Sequence, residues 1–283
     1  MSSVFTATVI SITVAAILTT SNFIISKVFK LDLSGLFGSS SKYLIIDALF
    51  FASILFILQV TILLLGGKGS VIYVFLTVAI LVSFPVLIRP YRLVKSGTYR
   101  NYELEEWLFS KTGVKPSVLI SPKKFSNALA DGVLPISKVI VISRDLYENL
   151  TTDQLYAILL HEAGHLKSKH TIIIWILNVI SAFTISLLIM FLLQNNVANE
   201  ATFFYFLSIG ACALSLYFAQ VPIYRRFELA ADLFASMHIG EKIYINTLYK
   251  LDDLSSSGLS NNDFHHPPLK KRVANVTAKK EST

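Results

Sequence analysis

The chain has 283 residues, of which 53% are hydrophobic and only 15% charged, against roughly 25% charged in an ordinary soluble domain. A mean hydropathy of +0.60 excludes a soluble single domain and a disordered chain. In so apolar a chain the net charge of +7 speaks for loop orientation and anionic headgroups and against nucleic-acid binding, and the single cysteine, Cys212, excludes an intramolecular disulfide framework.

Five uncharged apolar stretches run from Val4 to Ile25, Ala48 to Leu65, Val71 to Ile88, Thr171 to Leu193 and Ala201 to Tyr224. Each has about 18 to 24 residues, enough to cross a hydrocarbon core of about 30 Å as a helix. The first has no Lys or Arg before it and Lys27 and Lys30 after it, which reads as an uncleaved anchor rather than a signal peptide. The second and third, separated by Gly66-Gly67-Lys68-Gly69, read as a tight hairpin. Lys27, Lys30, Lys42, Arg89, Arg92, Lys95, Arg100, Lys167, Lys169, Arg225 and Arg226 all fall on one side of the alternating spans, with Lys68 on the other. That bias predicts an N-terminus outside and two cytoplasmic polar segments, Arg89 to His170 and Arg225 to Thr283. Together they have the size of one domain, built from two pieces that meet in space.

Within the first polar segment, Asn101 to Lys111 reads as a helix stopped by Gly113 and Pro116. Ser117 to Ser121 and Lys138 to Ser143 read as strands, and Asn127 to Ala130 as a third, closed by the turn Asp131-Gly132. Thr151 and Gln154 form a capping box for a helix through Leu155, Ile158 and Leu159. With no proline in it, that helix is free to continue into the fourth apolar stretch. A further helix is expected from Arg225 to about Ala235. Ser255 to Asn262 reads as a polar loop, and Lys270 to Thr283 as a basic, solvated or headgroup-contacting tail.

The capped helix carries His161-Glu162-Ala163-Gly164-His165, an H-E-x-x-H pattern. Residues four apart share a helix face, so both imidazoles can hold one metal ion with Glu162 beside it as general base. A catalytic zinc of this kind takes a third protein ligand and keeps one position open. Glu228, just past the fifth stretch and on the same expected side of the membrane, is the best candidate. Asp232, one turn further, is placed to accept a hydrogen bond from a ligating imidazole. The blander alternatives are a Glu228 paired with Arg225 or Arg226 and a solvated Asp232.

These motifs, with Asn127-Ala128-Leu129-Ala130-Asp131-Gly132 before them and Phe264-His265-His266-Pro267-Pro268-Leu269-Lys270-Lys271-Arg272 after them, resemble the membrane-bound gluzincins of the HtpX and CAAX prenyl endopeptidase family. The likeness runs from about Val114 to Val276. It implies one zinc ion per chain on His161, His165 and Glu228, with Glu162 as general base and Asp232 behind a ligating imidazole. It further implies that Asn127 and Ala128 belong to the edge strand along which an extended substrate pairs, and that His266 helps stabilise the oxyanion. Tyr224 departs from the family, which often has serine there before the arginine that Arg225 matches.

The expected fold is therefore a mainly α membrane protein with about five transmembrane helices and a cytoplasmic, zincin-like α+β catalytic domain with a small β-sheet. Residues 1–90 would form an N-terminal membrane region with three spans, and residues 91–283 a zinc peptidase domain interrupted by a hairpin at about 171–224. The expected activity is metal-assisted hydrolysis of peptide bonds at the cytoplasmic membrane. By resemblance, its substrates are unfolded or membrane-derived polypeptides, in quality control of misfolded membrane proteins. A processing peptidase for one defined, lipidated or exported peptide would use the same site. A membrane sensor with a structural metal is the rival from a different class.

Overall fold

The structure is a computed structural model that describes residues 79–80, 83–84, 86–91, 93–94, 97–122, 127–194, 202–254 and 266–278. The stretches expected to span the membrane at Val4–Ile25 and Ala48–Leu65, most of Val71–Ile88, and the loop Ser255–Asn262 lie outside the described residues. The chain divides into two compact units. One takes in Met1–Phe84 and Ala182–Thr202; the other, Pro85–Ser181 with Phe203–Thr283, carries everything that follows except the far half of one helix.

Strand β1 (Tyr99–Arg100) leads into helix α1 (Tyr102–Thr112), and β2 (Ser117–Ser121), β3 (Ala128–Asp131) and β4 (Val139–Ser143) complete a sheet of order β1-β2-β4-β3. The central β2 and β4 are parallel, pairing Ser117 with Val139 through Ser121 with Ser143, while β1 and β3 are antiparallel to their neighbours. Parallel strands are buried on both faces and read as continuous apolar runs, as Val118–Ile120 and Val139–Ile142 do. Val118, Ile120, Ile140 and Ile142 face the main core with Leu108, Leu159 and Leu160. Leu119, Val139 and Val141 face a smaller cluster with Leu93 and Leu129.

Local signals set the helix limits. Asn101 caps α1 by accepting from the Leu104 N–H at 3.1 Å, and Gly113 ends it in the left-handed region at φ 70°. Glu105, buried in α1, takes both Arg100 nitrogens at 2.6 and 2.8 Å and the Val118 N–H at 2.9 Å. One carboxylate thus ties α1 to β1 and β2. After the short α2 (Arg144–Asn149), α3 (Thr152–Lys167) opens on the reciprocal Thr151–Gln154 capping box. Trp107 of α1 stacks on Tyr156 of α3 with centroids 3.7 Å apart.

Helix α3 does not run on into the next helix. Ser168 and Lys169 form a turn, Lys169 adopts φ 58°, and α4 starts afresh at His170 and reaches Gln194. A left-handed residue ends the hydrogen-bond ladder of a helix without any proline. Among the described residues one helix, His170–Leu188, is long and apolar enough to cross a bilayer by length and composition, and its most apolar stretch contains no buried residue. From Thr202 on, the fifth apolar stretch lies inside α5, which runs unbroken from Thr202 to Ile239 through Pro222. Helices α6 (Glu241–Leu254) and α7 (Leu269–Ala278) close the chain. The reading of 270–283 as a solvated or headgroup-contacting tail is corrected over 270–278: Leu269, Arg272 and Val276 share one face of α7 and are buried, because a 3–4 residue spacing gives even a basic segment one inward stripe.

Gly164 sets the approach of α3 to α5. A Cβ there would lie 3.2 Å from the Ala231 Cα and 3.2 Å from the Phe234 ring. A backbone atom cannot move aside as a flexible side chain would. Gly164→Val is expected to destabilise the protein by about 1–3 kcal/mol through overpacking, read as a lower melting temperature in detergent, with Ser168→Ala on the exposed turn as the unaffected control.

Candidate active site

Helix α3 presents His161, Glu162 and His165 to a cavity of about 490 Å³ whose walls also include Asn127, Ala128, Glu228 and His266. The His161 and His165 Nε2 atoms are 3.2 Å apart. From α5, Glu228 places Oε2 at 3.4 Å from the first and Oε1 at 3.4 Å from the second. A metal bound tetrahedrally at 2.0–2.1 Å requires its ligand atoms about 3.3–3.4 Å from one another. The imidazole nitrogens stand close to that spacing with one Glu228 oxygen facing each of them, and two imidazoles with one carboxylate are a zinc-type set. The residues fit the ion.

Behind the donors stands a buried polar network. His161 Nδ1 is 3.0 Å from the Tyr244 hydroxyl and 3.1 Å from Asp232 Oδ1. Tyr244 donates to Asp232 at 2.5 Å, so its oxygen is free to accept from the imidazole. A proton held on Nδ1 by these two oxygens leaves Nε2 with its lone pair toward the cluster. Arg272 donates to both Asp232 oxygens at 2.9 and 2.6 Å, a fork-to-carboxylate pairing that fixes Asp232 in orientation. The same guanidinium is 3.9 Å from Glu228. His165 is braced separately: its Nδ1 lies 3.1 Å from Nδ1 of His170, and the His170 ring is stacked on Phe227 at 4.1 Å.

Burial and the two carboxylates act in opposite directions on the groups of the cluster. Burial works against a charged His161, yet the Asp232 and Glu228 carboxylates outweigh it and raise its pKa to about 10. Burial and the charge on His161 lower His165 to about 3. Burial would raise Glu228 and Asp232, but the hydrogen bond and charge of His161 on the first, and Arg272 on the second, hold both below the usual carboxylate range. Glu162 differs: burial dominates and pushes its pKa up, as suits a proton acceptor.

The sheet edge completes the site. Strand β3 pairs only with β4 among the described residues. The Ser143 N–H donates to the Asn127 carbonyl at 3.0 Å, making this a hydrogen-bonded pair. Antiparallel pairs alternate, so the main-chain groups of Ala128 and Ala130 point away from β4 to the free edge. Ala130 is also the residue whose main-chain N–H reaches Glu162. Gly132 after the strand has φ 112°, and a Cβ there would collide with the Ser137 carbonyl.

The structure thus brings together every residue singled out in the sequence. His161, His165 and Glu228 form the triangle, and Glu162 and Asp232 flank it. Asn127 and Ala128 line the cavity, and His266 is 3.8 Å from Glu228. Glu228 faces the histidines rather than pairing with Arg225 or Arg226 in the alternative first considered. Sequence reasoning missed Tyr244, His170 and Arg272. His170 carried a signal, as a third histidine five residues after His165. Arg272 hid in Lys270-Lys271-Arg272, and Tyr244 had no local mark.

The family model of peptidase family M48 matches residues 106–280, more than half the chain. The chain belongs to peptidase family M48. It is similar to the Protease HtpX of Buchnera aphidicola subsp. Baizongia pistaciae, with 28% identity over 176 residues, 52% of this chain and 58% of that protein. It also resembles the Protease HtpX of Pasteurella multocida, with 25% identity across 75% of this chain and 83% of that one. A Protease HtpX homolog of Pyrococcus furiosus is 30% identical over 39% of this chain and 42% of its own length. Among solved structures, Ste24p of S. mikatae shares the fold, with a TM-score of 0.61 at 19% identity over 90% of this chain and 69% of that one.

Proposed function

We propose that this chain is a zinc-dependent endopeptidase of the cytoplasmic membrane that hydrolyses extended, unfolded or membrane-derived polypeptides. The observation that carries the reading is the cluster of His161 and His165, 3.2 Å apart, with one Glu228 oxygen 3.4 Å from each, beside a strand edge unpaired among the described residues. Three protein ligands leave a tetrahedral ion one open position.

Zinc, when bound, activates a water for attack and polarises the scissile carbonyl. Glu162 takes the proton of the attacking water on its carboxylate and passes it to the leaving amine nitrogen. Ala128 with its N–H and carbonyl, and Ala130 with its carbonyl, bind the substrate main chain by adding it to the sheet as a further strand, which secures affinity with little demand on sequence. His266 donates from its ring nitrogen to the oxyanion. Asp232 and Tyr244 hold the His161 tautomer. The cavity wall includes Thr171 and Ile174 from the start of α4, so hydrolysis occurs where the long apolar helix begins. The Lys/Arg bias supports a catalytic face in the cytoplasm.

His170 braces His165, so His170→Ala is expected to weaken zinc binding about 10- to 100-fold, measured by competition with a chromogenic chelator. Substrate range tests the role. Detergent-purified, zinc-loaded chain should cleave unfolded β-casein at many sites and spare a compact folded protein. Inactivity on casein together with cleavage of a single lipidated peptide would replace quality control by dedicated processing. Full zinc occupancy with no turnover of any peptide would leave a structural metal site.

A further inference from the structure

A second cavity, of about 240 Å³, is lined by Val221, Pro222, Arg225, Arg226, Leu229 and Lys271. Three cations from two separate elements converge there, and no carboxylate of the described residues lines it. From Thr202 to Tyr224, α5 carries no charged side chain, so Arg225 and Arg226 are the first charges on its exit from the apolar stretch. Lys271 comes from the first turn of α7, where the helix dipole already favours an anion and where no acidic residue stands. Its position is fixed by its neighbours, through the Arg272–Asp232 fork and the bond from Asn275 Nδ2 to the Leu229 carbonyl at 3.0 Å.

We infer that this cavity binds the phosphate of an anionic phospholipid, with Arg225, Arg226 and Lys271 around the headgroup and Val221, Pro222 and Leu229 against the first acyl carbons. The apolar floor at the end of an uncharged helix favours a lipid over a soluble anion, because basic residues at this level meet the headgroup layer. A headgroup seated there bridges α5 two residues before Glu228 and α7 one residue before Arg272. It thereby clamps α5, which carries Glu228 and Asp232, to α7, whose Arg272 pairs with Asp232. The inference rests on the membrane reading above.

The test uses full-length Glu162→Gln chain, to stop self-cleavage, reconstituted in phosphatidylcholine vesicles with trace spin-labelled phosphatidylglycerol or phosphatidylcholine. Electron spin resonance reports the fraction of each lipid immobilised by the protein. The chain is expected to prefer phosphatidylglycerol. The double variant Arg226→Gln/Lys271→Gln should lower that preference about fivefold or more, while Lys111→Gln/Lys242→Gln, at exposed positions away from the spans, leaves it unchanged. Lys271→Gln alone, at an exposed position, should lower it in the same direction and serves if the double variant does not fold. Inorganic phosphate in millimolar excess should not compete. No preference, an equal fall in both double variants, or displacement by free phosphate would overturn the inference. Failure of the chain to float with vesicles would instead overturn the membrane reading.

Discussion

Glu162→Gln is expected to keep one zinc per chain and to lose cleavage of β-casein by roughly 10²- to 10⁴-fold, the usual contribution of a positioned general base. Glutamine has nearly the shape of glutamate and retains an acceptor for the Ala130 N–H, but it cannot take a proton from the attacking water. The carboxyl of Glu162 is buried and its pKa raised, which makes it a better proton acceptor than a solvated glutamate. It contributes no atom to the His161, His165 and Glu228 cluster, so metal content should not change. Steady-state turnover with zinc analysis on the same sample checks both halves. Zinc loss with activity loss would make Glu162 a ligand or a structural residue, and an active Glu162→Gln protein would remove it from the chemistry.

Arg272→Leu is expected to have the largest effect on stability, on the order of 3–5 kcal/mol. Asp232 is 0% exposed and Arg272 5% exposed, and the guanidinium takes both carboxylate oxygens. Removing it leaves a buried carboxylate with Tyr244 and His161 as its remaining partners, and an uncompensated buried charge is costly. Arg272→Lys should recover only part of the loss, because an ammonium cannot form the two-pronged pairing. Adding Asp232→Asn to Arg272→Leu should restore part of the melting temperature by removing the stranded charge, while zinc affinity stays low because the support of His161 is gone. A melting temperature unchanged in Arg272→Leu would contradict this account of α7.

The cluster of His161, His165 and Glu228 was legible in the sequence because its spacing follows from helix geometry. A four-residue interval puts His161 and His165 on one face in any helix, and Thr151 with Gln154 announced where that helix begins. Glu228 followed from chain geometry, since an apolar excursion that leaves and returns brings its next helix back near its origin. The sheet was legible in its central strands, whose Val and Ile runs require burial. Of what surrounds the cluster, Asp232 was legible one turn after Glu228, and the rest was not. Tyr244 and Arg272 reach Asp232 across separations of 12 and 40 residues, and such contacts are set by packing of α5, α6 and α7 rather than by any local pattern. Arg272 was misread for a specific reason. Composition describes a segment as a whole, whereas burial is decided by one face of a helix, and the face of Leu269, Arg272 and Val276 turns inward. The break at Ser168-Lys169 was missed because a left-handed residue needs neither glycine nor proline. That break turns α4 so that His170 swings back onto His165, which a continuous helix would not allow at a five-residue interval.

The central claim is that one metal ion on His161, His165 and Glu228 makes this chain a peptidase. The most direct measurement strips the detergent-purified chain with a chelator and adds zinc back in stoichiometric steps while following β-casein cleavage. Cleavage should be absent in the stripped protein, rise linearly and level off at one zinc per chain, with Glu228→Ala failing to respond over the same range. Cleavage that survives stripping, or that rises equally in Glu228→Ala, would contradict the account.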